Sequence, residues 1–118
     1  MRLLASLLLF STPSLLAFAG SPDCGGPNGY VASMTFVTLK NAGLVVNETT
    51  DFAKTKVVRL ASEKIGKDLY RQIHKVTFTD TLGNTIAAIT MHDASHTECS
   101  ETSVEVFVVS KDLGNINE

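Results

Sequence analysis

The 118-residue sequence lacks any dense block of basic side chains: 10 Lys and Arg are scattered among 12 Asp and Glu, for a formal charge of -2. No stretch neutralises several phosphates at once, which excludes nucleic acid as a partner. Internal repeats, low-complexity tracts and domain linkers are also missing, so what remains after a leader is one domain. No glycine-flanked elbow exposes a nucleophilic serine. Cysteine is limited to 2 residues and histidine to 3. Even the longest apolar run, Leu3 to Phe18, falls short of the roughly 20 residues that a bilayer crossing needs, and Pro13 interrupts it.

What that run does fit is a secretory leader. Met1 and Arg2 give a positive start, and Ala17-Phe18-Ala19 places small residues where signal peptidase requires them. Cleavage is expected after Ala19. The segment before Cys24 is Ser21-Pro22-Asp23, not the small apolar run that lipoprotein processing prefers, so the mature chain is expected free of a membrane anchor. Losing Arg2 leaves 9 basic and 12 acidic side chains, which moves the formal charge from -2 to -3. Cys24 and Cys99 both follow the cut. In an oxidising compartment two thiols read most simply as one disulfide closing a loop of about 75 residues.

Along the mature chain, residues 20–29 are rich in turn formers and read as an irregular segment pinned only by Cys24. Val31 to Leu39 carries β-formers on both sides of an alternating pattern and reads as a strand. Asn41-Ala42-Gly43 turns the chain, and Leu44-Val45-Val46 is a short run that could pair back. Residues 52–65 are ambiguous. Val57, Leu60, Ala61 and Ile65 have helical spacing, but Thr55, Val57 and Val58 are β-branched, and the strand reading is preferred.

From Leu69 the alternation is clear, with Tyr70, Gln72, His74, Val76 and Phe78 on one face. Asp80 to Asn84 makes a tight loop, and Thr85 to Met91 returns as a strand. After a polar segment, Val104 to Val109 is apolar on both faces except Glu105, a pattern that belongs inside a sheet or under a cover. The sum is a mainly β domain over residues 30–113, an antiparallel meander of about five strands; the alternative is α+β with one helix at 52–65. The tail at 114–118 is expected to be loose.

The densest polar cluster, residues 92–101, holds His92, Asp93, Ser95, His96, Glu98, Cys99, Ser100 and Glu101. His92, His96 and Cys99 could wrap a zinc ion, but a disulfide removes Cys99 and nothing else completes the shell. Ser95 or Ser100 with His96 or His74 and a carboxylate gives only a generic hydrolase set. His74 is expected half-buried and hydrogen-bonded at a sheet margin. The residues chosen as a candidate binding surface are Tyr70, Arg71, His92, Asp93 and His96.

The run Ile65-Gly66-Lys67-Asp68-Leu69-Tyr70-Arg71-Gln72-Ile73-His74, with Val76-Thr77-Phe78 and the later Asp93-Ala94-Ser95-His96-Thr97-Glu98-Cys99-Ser100, resembles a family of small uncharacterised exported proteins of Gram-negative bacteria, some regarded as antigens. The likeness covers about residues 55–113. It implies a periplasmic or secreted bacterial protein and carries over no catalytic residue. The resulting expectation is a non-enzymatic binding module of the cell envelope without cofactor or metal. It would present a sheet face or the 92–103 loop to a protein partner. The rival is a small metal-dependent or hydrolytic enzyme using His92, Asp93 and His96.

Overall fold

The alternation that begins at Leu69 becomes the central hairpin of the molecule. A computed structural model describes residues 20–111; the leader at 1–19 and the tail at 114–118 lie outside those residues. The elements are helix α1 (Tyr30–Asn41), 3-10 turns at Asn47–Thr49 and Phe52–Lys54, and strands β1 (Lys56–Gly66), β2 (Leu69–Thr79), β3 (Thr85–Ala94) and β4 (Glu105–Lys111). The four strands form one antiparallel meander in the order β1-β2-β3-β4, with α1 packed on β2 and β3. The fold is therefore mainly β, with one helix on the sheet.

The turns are set by local chemistry. Asp68 takes a positive φ of 51° between β1 and β2, a conformation that Asp tolerates better than most residues. Between β2 and β3, Asp80 Oδ1 accepts the backbone N–H groups of Leu82 and Asn84 at 2.9 and 2.8 Å, and Gly83 supplies a φ of 91°. Those donated hydrogen bonds hold the Asp80 carboxyl below its ordinary pKa.

Residues 31–39 are helix and not strand, which also leaves four strands in place of about five. Val31, Ala32, Thr35, Phe36 and Leu39 are the buried residues of α1, a stripe at helical spacing. Thr35 and Thr38 fit because their hydroxyls donate to the carbonyls of Val31 and Met34, at 2.6 and 2.8 Å. The helix ends where Gly43, at φ 78°, lets Gly43 N–H and Leu44 N–H reach the carbonyls of Lys40 and Leu39 at 2.9 Å each. Leu44 and Val45 then pack partly buried on the core and form no strand.

Residues 52–65 contain only the Phe52–Lys54 turn before β1 begins, as the strand reading held. A register shift between Arg59 and Ala61 sets Leu60 out of pairing, and this bulge breaks the alternation. β4 is a strand too, but it lies at an edge of the sheet: β3 is its only pairing partner among the described residues. Phe107, Val108 and Val109 are exposed there, so the expectation of an interior position is corrected.

The inner face of the sheet divides in two along the strands. Beneath α1 it is apolar, where Val31, Phe36 and Leu39 meet Val76, Phe78 and Ile86 and Phe36 stands edge-on to Phe78 at 5.3 Å. Beyond α1 it is covered by the segment 20–29, a strap with more anchors than the expected one. Cys24 is bridged to Cys99, the carbonyl of Pro22 accepts from Gln72 Nε2 at 2.8 Å and from Arg59 at 3.0 Å, and the Ser21 and Ser62 hydroxyls meet at 3.2 Å.

The bridge joins residues 75 apart in sequence. Reducing it is expected to lower the unfolding free energy by about 4 kcal/mol, the chain-entropy figure for a loop of that length. Urea unfolding with and without a reductant measures the difference; equal midpoints would show that the non-covalent anchors hold the strap alone.

Candidate functional site

Alternation along β2 and β3 sends neighbouring residues to opposite faces, and this splits the residues chosen from the sequence. Arg71 and Asp93 pair across the strands on the outer face. The guanidinium donates twice to the carboxylate, at 2.9 and 3.2 Å, and this fork raises the Arg71 pKa. Asp93 is nonetheless buried. Tyr70 and His92 lie on the inner face, both buried. His96 is exposed in the loop after β3, where its Nδ1 and backbone N–H both meet Asp68 Oδ1. That contact lowers the Asp68 pKa and clamps the loop to the β1–β2 turn. Tyr70 stands edge-on to His96 at 5.3 Å. Of the five residues, only Arg71 and His96 reach the surface, and they do not make one patch.

The metal and hydrolase constellations do not assemble either. Cys99 is in the disulfide, His92 faces inward and His96 is held by Asp68. No group of three or more His, Cys, Asp or Glu among the described residues could hold a metal ion. Ser95 Oγ is occupied by Thr97 Oγ1 at 3.0 Å and by the backbone N–H of Glu98 at 3.2 Å. Ser100 donates to Glu98. Neither serine is bonded to an imidazole.

What the structure does assemble is a buried polar cluster on the strap-covered half of the inner face. Gln72 and His92 are cross-strand partners, as are His74 and Thr90. The two imidazoles are 0% and 1% exposed, with ring centroids 5.7 Å apart. His74 is thus an interior residue of a central strand, not a half-buried one at a margin. Among the described residues neither ring nitrogen of His74 or His92, nor Gln72 Oε1, has a hydrogen-bond partner in the protein. Gln72 Nε2, by contrast, is tied to Pro22 and to Ser62 at 3.1 Å. The signal for this cluster was present: alternation put Gln72 and His74 on the Val76/Phe78 face, but only the register added His92 and Thr90.

Burial pushes His74 down to about 4, with further lowering from the charges of His92 and Arg59 and slight opposition from Asp23. His92 is lowered by the same burial, against Asp93. Both rings are therefore neutral at pH 7, and rings sealed from solvent meet no external substrate.

The outer face has the opposite character. No helix among the described residues covers it, and in the rows where the inner face buries Gln72, His74, Thr90 and His92 it carries Ile73, Ile89, Met91 and Phe107. Ile73, Ile89 and Met91 are half-buried by neighbouring strands. Val58 and Phe107 are 53% and 55% exposed.

Comparison with protein-family models, with curated proteins and with solved structures found no match. The site is therefore read from its own geometry.

The histidine pair gives the fold an acid limit. Unfolded, both imidazoles titrate near pH 6.5; folded, His74 does so at about 4. Between those values the unfolded chain binds more protons, so stability is full above pH 6.5 and falls as the pH drops toward 4. The loss from His74 alone is about 3 kcal/mol, and His92 adds to it in the same direction. Urea unfolding from pH 7.5 to 4 should show this slope, and His74→Phe should flatten it. An unchanged slope in that variant would remove His74 as its source.

Proposed function

We propose that the chain is an exported binding module of the cell envelope, locked by one disulfide, which presents the outer face of its sheet to a protein partner. The observation that carries this reading is an inversion of polarity. In the strap-covered half, Gln72, His74, Thr90 and His92 are buried on the inside of the sheet, while Ile73, Ile89, Met91 and Phe107 stand outside among the charged Arg71, Lys75 and Glu105. Burial of apolar surface contributes about 25 cal/mol per Å², so leaving Val58 and Phe107 open forgoes stabilisation unless the face is covered in the working state.

The compartment is supported by two independent features. The N-terminal run has the pattern of a cleaved leader, and the Cys24–Cys99 bridge belongs to an oxidising environment. Among the described residues no helix is long and apolar enough to cross a membrane. The reading assigns no catalytic residue and no cofactor. The binding surface consists of Val58, Ile73, Ile89, Met91 and Phe107, with Arg71 at its margin. Of the five residues chosen from the sequence it retains only Arg71.

Protein recovered from the exporting cell serves as bait against envelope extract, with captured chains identified by mass spectrometry and the chain itself counted among the products. Phe107→Asp should reduce capture about tenfold, the effect of losing an exposed apolar anchor from an interface. His96→Ala, remote from the outer face, should leave it unchanged. Equal capture by wild type and Phe107→Asp would reject the outer face as the binding surface.

A further inference from the structure

The charges on the outer face are sorted by position. At the end nearest the β2–β3 loop, Lys56 lies opposite Thr77, and in the next row Lys75 lies between Val58 and Ile89. At the other end Glu63 lies opposite Arg71, and Glu105 lies opposite Met91. Asp93 is already matched there by Arg71, so two acidic groups remain at that end. All four of these side chains are exposed. Between Lys56 at one end and Glu63 at the other run two rows that are each apolar but for one charge, Val58–Lys75–Ile89–Phe107 and Ala61–Ile73–Met91–Glu105.

A face that is basic at one end, apolar in the middle and acidic at the other is complementary to itself when turned end for end. From this we infer that a second copy of the chain covers the outer face, the two sheets stacking face to face about a two-fold axis that runs across the strands. The inference rests on the outer face being the binding surface and names its occupant.

In this arrangement Lys56 of each copy lies over Glu63 of the other, so the pairing occurs twice, as a two-fold contact demands. The row Val58–Lys75–Ile89–Phe107 lies over the row Ala61–Ile73–Met91–Glu105, so that Val58 meets Ala61, Ile89 meets Met91, and the aliphatic stems of Lys75 and Glu105 lie against Ile73 and Phe107. Stacking with the strands in the same sense would set lysine end on lysine end and glutamate end on glutamate end, so like-charge repulsion selects the antiparallel arrangement. Face-to-face sheets pack about 10 Å apart with strands within about 30° of one another, close enough for these side chains to interdigitate.

Four strands about 4.8 Å apart and four rows about 7 Å apart make a plane on the order of 400 Å² per copy. That is the size of a reversible contact and not a permanent one.

Sedimentation equilibrium of the protein recovered from the exporting cell, at roughly 1 to 500 µM, tests this. The expected result is a monomer–dimer equilibrium. Phe107→Asp should abolish the dimer. Lys56→Glu should weaken it about tenfold by replacing two attractive pairs with two repulsive ones, and the exchange Lys56→Glu with Glu63→Lys should restore it. The charge exchange tests the arrangement independently of any effect of Phe107→Asp on folding. A monomer across the whole range, a dimer indifferent to Phe107→Asp, or an exchange that fails to restore association would each overturn the second copy as occupant. A monomer that still captures another protein through Phe107 overturns only this inference, whereas indifference to Phe107 in both assays overturns the outer face as well.

Discussion

A 12-residue helix is about 18 Å long, whereas the 11-residue β2 extends about 36 Å. One helix therefore roofs half of one face of this sheet, and the arrangement of the molecule follows from that shortfall. Under α1 the packing is conventional, with aliphatic and aromatic side chains from helix and sheet interlocked. Beyond it the inner face needs another cover, which the strap at 20–29 supplies. A turn-rich segment brings little apolar mass to bury, so its attachment depends on the disulfide and on hydrogen bonds to Pro22 and Ser21. The outer face receives nothing from the described residues.

The polar interior under the strap is matched to this cover. Gln72 uses its amide nitrogen to hold the Pro22 carbonyl, and an apolar residue in its place could not. His74 lies against Gly25, where an added Cβ would stand 3.6 Å from the ring. Strap and cluster are thus two halves of one contact. The cost is set by the unpartnered imidazole nitrogens: buried polar groups without partners each forgo about 1–3 kcal/mol. A loop-closing covalent tie contributes on the same scale. The bridge, the strap and the buried histidines therefore belong to a single energetic arrangement.

The β2–β3 hairpin was legible because both strands keep strict alternation, except that β3 runs on through His92, Asp93 and Ala94, where the polar side chains read as a loop. β1 was harder to read for a mechanical reason. The bulge at Leu60 shifts the phase, so Val57, Leu60, Ala61 and Ile65 mimic a helical stripe. The error at 31–39 had the opposite cause. Thr35 and Thr38 look like strand residues, and only their back-bonds to Val31 and Met34 make them comfortable in a helix. The pairing of Cys24 with Cys99 was readable from count and compartment alone. The candidate binding residues were not, because Arg71 and Asp93 alternate in face with Tyr70, Gln72 and His92. A list drawn from one stretch of sequence necessarily straddled both sides of the sheet.

β4 joins the last two of these points. Its apolar residues suggested an interior strand, and hydrophobicity alone would put them inside. A one-residue slip in β2 and β3 would turn Ile73, Ile89 and Met91 inward and Gln72, His74 and His92 outward. In the strap half that exchange would bury Ile73, Ile89 and Met91, and with them the charged Arg71, Lys75 and Asp93. It is prevented at the other end of the same strands, where Val76, Phe78, Ile86 and Ala88 are already inside, and by the Arg71–Asp93 fork, which fixes the pairing from outside. The apolar outer face is thus held open by the rest of the fold against the local preference of its own residues. A chain that only needed to fold could place polar side chains there without loss. That Ile73, Ile89, Met91 and Phe107 stand there instead is the physical argument behind the proposed recognition role of the face.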